Sequence, residues 1–176
     1  TPVTAVERLH IRAALGRVLA EDVISPIDVP QHDNSAMDGY ALRFADLARD
    51  GETTLRVIGS AFAGKPFEGS VAAGQAVRIM TGAVIPAGTD TVVQQERARR
   101  SGDAVAVMPV PRKGSNTRSA GEDLRRGTPA LLRGQAIRAA ETYGLFDLER
   151  LERMVLRGIA RDFFPPGGGD GEGHDG

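Results

Sequence analysis

The stretch from Thr53 to Val110 constrains the fold more than any other part of the chain. It breaks into short apolar and β-branched runs, LRVIGSAF, AVRIM, DTVVQQE and DAVAVMPV, divided by Gly, Pro and Ser-Gly-Asp turns. Runs of this length bounded by turn formers read as strands, because a helix needs a longer periodic stretch to bury one face. A small β-rich domain is therefore expected here, within a chain of α+β class that is mostly β. On the amino-terminal side, Ile11, Ala14, Leu15, Val18 and Leu19 fall at helical spacing and predict a short amphipathic helix ending near Asp22. Ala41 to Asp46 predicts a brief helical stretch. From Gly134 onward, Ile137, Ala140, Tyr143, Leu145, Leu148, Leu151, Val155 and Ile159 form an apolar stripe that predicts a further helix. The low-complexity tail from Pro165, PPGGGDGEGHDG, has too little apolar surface to order itself and reads as a linker or a frayed end.

Composition narrows the function classes. With 22 Lys plus Arg against 23 Asp plus Glu, the chain has no overall basic field to attract nucleic acid. It has no Cys, which excludes disulfides, thiolate metal sites and a cysteine nucleophile, and is compatible with a reducing cytoplasm. The apolar runs fall far short of the roughly 20 residues that span a bilayer, and the first residues show no signal-peptide pattern, so a soluble cytoplasmic protein is expected. The sequence opens on Thr1 rather than a methionine, which leaves room for residues upstream. His10, His32 and His174 are isolated and build no zinc-ligand spacing. Neither a nucleophile elbow, a P-loop nor a GxGxxG fingerprint is present, so hydrolase, NTPase and dinucleotide readings lack support.

The densest polar motif is DNSAMDGYA, Asp33 to Ala41. Short polar side chains fold back onto nearby amides, and Gly39 permits a positive φ, so the segment reads as a structured loop. Loops of this kind often carry functional groups. On the residues alone the alternative stays open: Asp38-Gly39 as a tight turn, with Asp33, Asn34 or Ser35 as a cap.

DNSAMDGYA is followed by RIMTGAVIP (Arg78 to Pro86), DTVVQQE (Asp90 to Glu96) and NTRSAGEDLRRG (Asn116 to Gly127). In this order and at these spacings, the chain from about Val3 to about Leu145 resembles the amino-terminal part of the molybdopterin molybdenumtransferase family, of the MoeA and gephyrin E-domain type. The resemblance implies an elongated, discontinuous first domain (1–32 plus 113–160) with an inserted β-rich domain (33–112), while composition makes 161–176 a disordered tail. The family's pterin-binding α/β domain would be absent. It also implies a role in molybdenum cofactor biosynthesis, through insertion of molybdate into adenylated molybdopterin with Mg²⁺ present. Implied partners are a second copy of the chain or a full-length family member. The isolated chain would be inactive without a pterin-binding domain in trans. The other reading is a non-catalytic dimerisation or scaffold module derived from the family.

The same resemblance points to Asp38, Asp123 and Thr81 as catalytic positions, with Asp38 and Asp123 as metal ligands. Mg²⁺ characteristically takes one or two protein carboxylates and fills its shell with water and substrate phosphate. Ser35, Gly82 and Arg118 are the implied cofactor-binding residues: the Thr81-Gly82 turn offers amides to an anion, and a guanidinium matches phosphate with a forked pair of donors. Lys113 is a further cationic candidate. Arg125 and Arg126 read as solvated, and Glu122 as a loop-ordering or capping residue beside Asp123.

Overall fold

The computed structural model describes residues 6–9, 13–138 and 156–157. In chain order its strands are β1 (Arg8–Leu9), β2 (Val23–Ile24), β3 (Asn34–Ser35), β4 (Gly39–Leu42), β5 (Thr53–Ala61) and β6 (Gln75–Ile79). There follow β7 (Thr91–Gln94), β8 (Ala98–Ser101), β9 (Ala104–Val107), β10 (Thr117–Arg118), β11 (Pro129–Leu131) and β12 (Leu156–Arg157). Short 3₁₀ turns cover Phe44–Asp46 and Gln95–Arg97. The chain is mostly β, as expected. Among the described residues no helix is long and apolar enough to cross a membrane.

Two compact units divide the chain: residues 25–128 form one, and residues 1–24 together with 129–176 form the other. The inner unit is built on a six-stranded sheet in the order β7-β4-β6-β5-β9-β8. Every neighbouring pair is antiparallel except β5 and β6, which run parallel. A parallel pair needs a crossover, and residues 62–74 make it.

Both faces of this sheet are covered. Tyr40, Leu42, Leu55, Val57, Ala76, Val93, Val105 and Val107 gather on one side with Val110, Phe44 and Leu47. Ala41, Ala61, Val77, Ile79 and Val92 gather on the other with Val71, Ala83, Ile58 and Phe67. Successive side chains of a strand point to opposite faces, so Tyr40 and Leu42 enter one cluster and Ala41 the other. That two-sided burial leaves all four residues of β4 buried, and it is why Ala41 and Leu42, expected to begin a helical stretch, lie in a central strand; only Phe44–Asp46 curls. On β5 one extra residue sits opposite β6 between Val57 and Ser60. This bulge lets Val57 serve one cluster and Ala61 the other.

The sheet's edges are closed in different ways. Along β7, the Val92 N–H donates to the Ser115 carbonyl and the Asn116 side-chain amide donates to the Val92 carbonyl, at 3.0 and 2.8 Å. Asn116 adopts φ +58, a left-handed conformation that Asn tolerates better than most residues. At the opposite edge β8 reads ARRS and is largely exposed, a charged strand that discourages pairing with another sheet.

In the outer unit β1 pairs with β12 and β2 with β11, both antiparallel. Between them, Leu19 and Gly16 donate to the carbonyls of Gln135 and Ile137, and Ile137 donates back to Arg17. Residues 13–22 therefore do not form the predicted helix. Gly16 takes φ +76 in the middle of the segment, and the ladder to residues 134–137 gives the backbone partners that a short isolated helix would have to find within itself. The described start of the second predicted helix, Gly134 to Arg138, is the extended partner in that ladder, and Leu156–Arg157 form β12. The remainder of that stripe and the tail from Pro165 lie outside the described residues. Ala14, Leu19, Val23 and Ile137 are buried.

The two ends of the inner unit are tied together: the Ser25 N–H donates to the Thr128 carbonyl at 2.9 Å, and the Gly127 N–H donates to the Ser25 carbonyl at 2.8 Å.

Candidate functional site

DNSAMDG is the hub of the inner unit. Its Asn34–Ser35 portion is β3, which pairs antiparallel with β10 so that Ser35 faces Thr117 and Asn34 faces Arg118. Ser35 is buried; its hydroxyl donates to the Met37 carbonyl at 2.5 Å and accepts from the Met37 N–H at 3.3 Å, which closes the bend 36–38. The bend delivers Asp38 to the start of β4. Gly39 does not take the positive φ expected of it but opens β4 as a strand residue, and it passes so close to β7 that a Cβ there would stand 2.1 Å from the Val93 carbonyl oxygen.

The RIMTG motif docks on this hub through its turn. The Thr81 N–H and hydroxyl both donate to Oδ1 of Asp38, at 2.8 and 2.7 Å. Beside them the Gly82 N–H donates to the Ser35 carbonyl and the Ser35 N–H to the Ala83 carbonyl. Ala83 in turn donates to Met80. The amides of Thr81, Gly82 and Ala83 are thus all taken by acceptors of the protein, and the anion seated on this turn is the Asp38 carboxylate itself. The Thr81 hydroxyl, then the Thr81 amide, and the nearby Arg78 charge hold the Asp38 carboxyl below its usual range, against a smaller opposing effect of burial. Oδ2 of Asp38 has no hydrogen-bond or ion-pair partner among the described residues.

The second acidic motif forms its own network. Arg118 pairs with Asp123 through Nη2 and with Glu122 through Nε at 3.3 Å. Glu122 also accepts from the Ser119 N–H at 3.0 Å, while its own N–H donates to the Ser119 carbonyl, so it orders the loop as a cap does. Bonds to Asp123, then to Glu122, raise the Arg118 pKa above its usual value. Gly121 takes φ +70, a Cβ there would stand 3.0 Å from Oδ1 of Asp28, and Asp123 and Leu124 donate to the Val29 carbonyl. Asp33 accepts the Ala120 N–H at 2.8 Å, which stitches the first motif to the second.

Sequence-predicted residues therefore fall into two networks joined by the β3–β10 ladder. Asp38, Thr81, Ser35 and Gly82 meet in one; Asp123, Arg118 and Glu122 meet in the other. Lys113 stands apart from both, paired with Asp90 at 3.3 Å. Two residues of the neighbourhood carried no expectation. Arg78 donates to the Gly39 carbonyl at 2.8 Å and to Gln95 at 2.6 Å, and lies over the Tyr40 ring. Asp90 accepts from the Phe44 N–H and the Thr91 hydroxyl; burial opposes its ionisation, but those bonds and Lys113 together hold its pKa below the usual range. Both lie inside segments quoted above, and the signal was a charged residue placed at the mouth or within the run of a buried strand.

Among the described residues no group of three or more His, Asp or Glu is arranged to hold a metal ion.

The sequence matches the family described as MoeA N-terminal region (domain I and II) over residues 1–147. A molybdopterin molybdenumtransferase from Haemophilus influenzae is 46% identical over 132 residues, which cover 74% of this chain and 32% of that protein. One from Synechococcus elongatus is 43% identical over 138 residues, covering 76% and 34%. The chain spans about a third of the length of these curated relatives. Among solved structures, the molybdopterin biosynthesis moeA protein from Pyrococcus horikoshii OT3 agrees with a TM-score of 0.79 at 32% identity, over 89% of this chain and 41% of that one. The motifs that the fold knots together around β3 all lie within the matched residues, and the chain belongs to the MoeA N-terminal-region family.

Proposed function

We propose that this chain acts in molybdenum cofactor biosynthesis as the amino-terminal portion of a molybdopterin molybdenumtransferase. The observation that carries the reading is the pair of hydrogen bonds that Thr81 donates to Asp38, across 43 residues of sequence. It fixes one carboxylate oxygen and leaves Oδ2 turned to other partners, which suits a group that must meet a cation without moving. In this proposal Asp38 and Asp123 offer carboxylates to Mg²⁺, Thr81 holds Asp38 ionised and oriented, and Ser35 and Gly82 fix the turn. Arg118 would receive phosphate by exchanging one of its carboxylate partners. Mg²⁺, when bound, would neutralise phosphate charge on adenylated molybdopterin as molybdate is inserted and AMP released. The names of the relatives support the substrate class. The proposed setting is the cytoplasm, with a second copy or a full-length relative as partner and the pterin-binding portion contributed by another polypeptide.

The test supplies the remaining portion of a full-length relative in trans and follows AMP release from adenylated molybdopterin with molybdate and Mg²⁺. Asp38→Asn and Asp123→Asn keep the shape and remove the charge, and each should lower the rate by at least roughly tenfold with the circular dichroism spectrum unchanged. Wild-type rates in both variants would leave these residues as turn and cap, and the chain as a scaffold module.

A further inference from the structure

Parallel pairing of β5 with β6 sends both strands out at the same end of the sheet, so the turns that follow them are neighbours. The turn after β6 carries Thr81. The turn after β5 is Phe62–Lys65. Their proximity is direct: the Met80 N–H donates to the Ala61 carbonyl at 3.1 Å, and a Cβ placed on Gly82 would lie 3.8 Å from the Ala63 Cβ.

Phe62–Lys65 is a closed turn. Phe62 and Lys65 exchange both backbone hydrogen bonds at 3.0 Å, and Gly64 between them takes φ +75. Residues opposed in this way project from one face, with Cβ atoms about 5 Å apart. The Phe62 and Lys65 side chains therefore leave the same face of the turn, within reach of one ligand. Neither is occupied by the fold. Phe62 is 47% exposed and belongs to neither core cluster, whereas Ala61 just before it is fully buried and Phe67 just after packs on the core. Lys65 is exposed and has no ion-pair partner among the described residues. A single exposed apolar side chain is ordinary. An exposed ring and an exposed lysine opposed across one turn, abutting the turn that holds Asp38, are a different arrangement.

We propose that the Phe62–Lys65 turn binds a planar heterocycle that carries a phosphate, the ring stacking on Phe62 and the phosphate meeting Lys65. Stacking on an aromatic face is tolerant of ring type, and an ammonium is a compact partner for phosphate. The inference rests on the proposed function for its choice of substrate class, since a pterin phosphate and an adenylate share this chemistry.

The experiment titrates the 176-residue protein with AMP, a pterin phosphate ester, adenosine and inorganic phosphate, following the Phe62 ring and Lys65 side-chain signals by NMR. At least one phosphorylated heterocycle should shift both side chains, and which one does so identifies the source. Phe62→Ala should weaken that ligand by about tenfold, with Phe62→Tyr restoring it. Lys65→Ala should weaken it while leaving adenosine binding unchanged. Thermal unfolding of each variant should match wild type, because both side chains face solvent. Absence of shifts with both phosphorylated heterocycles, or wild-type affinity in both alanine variants, would overturn the proposal. The readout is binding rather than turnover, so a failure here leaves the molybdate-insertion assay to stand or fall separately.

Discussion

Asp38 and Asp90 share a design: a carboxylate at the entry to a buried strand, tied by a main-chain N–H and a threonine hydroxyl. Both are held below the usual carboxylate pKa in the folded protein. The folded state then binds protons less readily than the unfolded chain, so its advantage is complete above the unfolded value of about 3.9 and disappears as pH falls through the lowered folded values. The urea midpoint of the wild type should therefore drop as the solution is acidified below about pH 4, and Asp38→Asn and Asp90→Asn should each flatten that slope. Equal slopes in all three proteins would show that the bonds do not persist in solution. Gly39 makes a sharper steric statement. Adding one methyl group forces β4 and β7 apart at the Val93 carbonyl, and Gly39→Ala should cost about 1–3 kcal/mol in urea unfolding. A neutral result would mean that the two strands can separate freely.

The strand order assigns unequal weight to elements of similar length. β4 lies between β6 and β7 with Leu42 fully buried, while β8 is an exposed edge. Leu42→Ala should cost about 2–5 kcal/mol, and Arg100→Ala on β8 less than about 0.5 kcal/mol; comparable losses in denaturant titrations would contradict the central place of β4. The sequence made β5, β6, β7 and β9 legible because their apolar runs are cut off by turn residues. β4 was not legible as a strand, since burial on both faces erases the alternation that marks one. β8 was missed because an edge strand written ARRS has no apolar face to read. The spacing of Ile11, Ala14, Leu15, Val18 and Leu19 suits a helix, but Leu15 is exposed where that helix would bury it, and pairing with residues 134–137 decides the conformation. Within the candidate site, spacing could not join Asp38 to Thr81, because the contact depends on the β4–β6 pairing. The density of acceptors in DNSAMDG did mark the hub, and Glu122 does order its loop as its position suggested. The ties of Arg118 to Asp123 and of Asp33 to Ala120 became visible only in three dimensions.

At the scale of the molecule, Leu15, Ile24 and Leu132 of the outer unit are exposed by 58, 45 and 58%, and they offer positions at which the proposed pairing with a second copy or a full-length relative can be tested. Sedimentation equilibrium should find a concentration-dependent dimer that Ile24→Glu and Leu132→Glu weaken; a monomer at high concentration, alone and with such a relative, would count decisively against it. The hydrogen bonds between Ser25 and residues 127–128 carry a different consequence, one of timing. Before the inner unit folds, β2 and β11 are separated by a flexible loop whose closure costs entropy that grows with the logarithm of its length. Once Ser25 and Thr128 are joined, that loop has shrunk to a single bonded pair, and the strands flanking it meet as if they were consecutive in sequence. Closure of the inner sheet ahead of the outer unit would therefore turn the long-range pairing of β2 with β11 into a local one, and the refolding rate of the outer unit would rise accordingly.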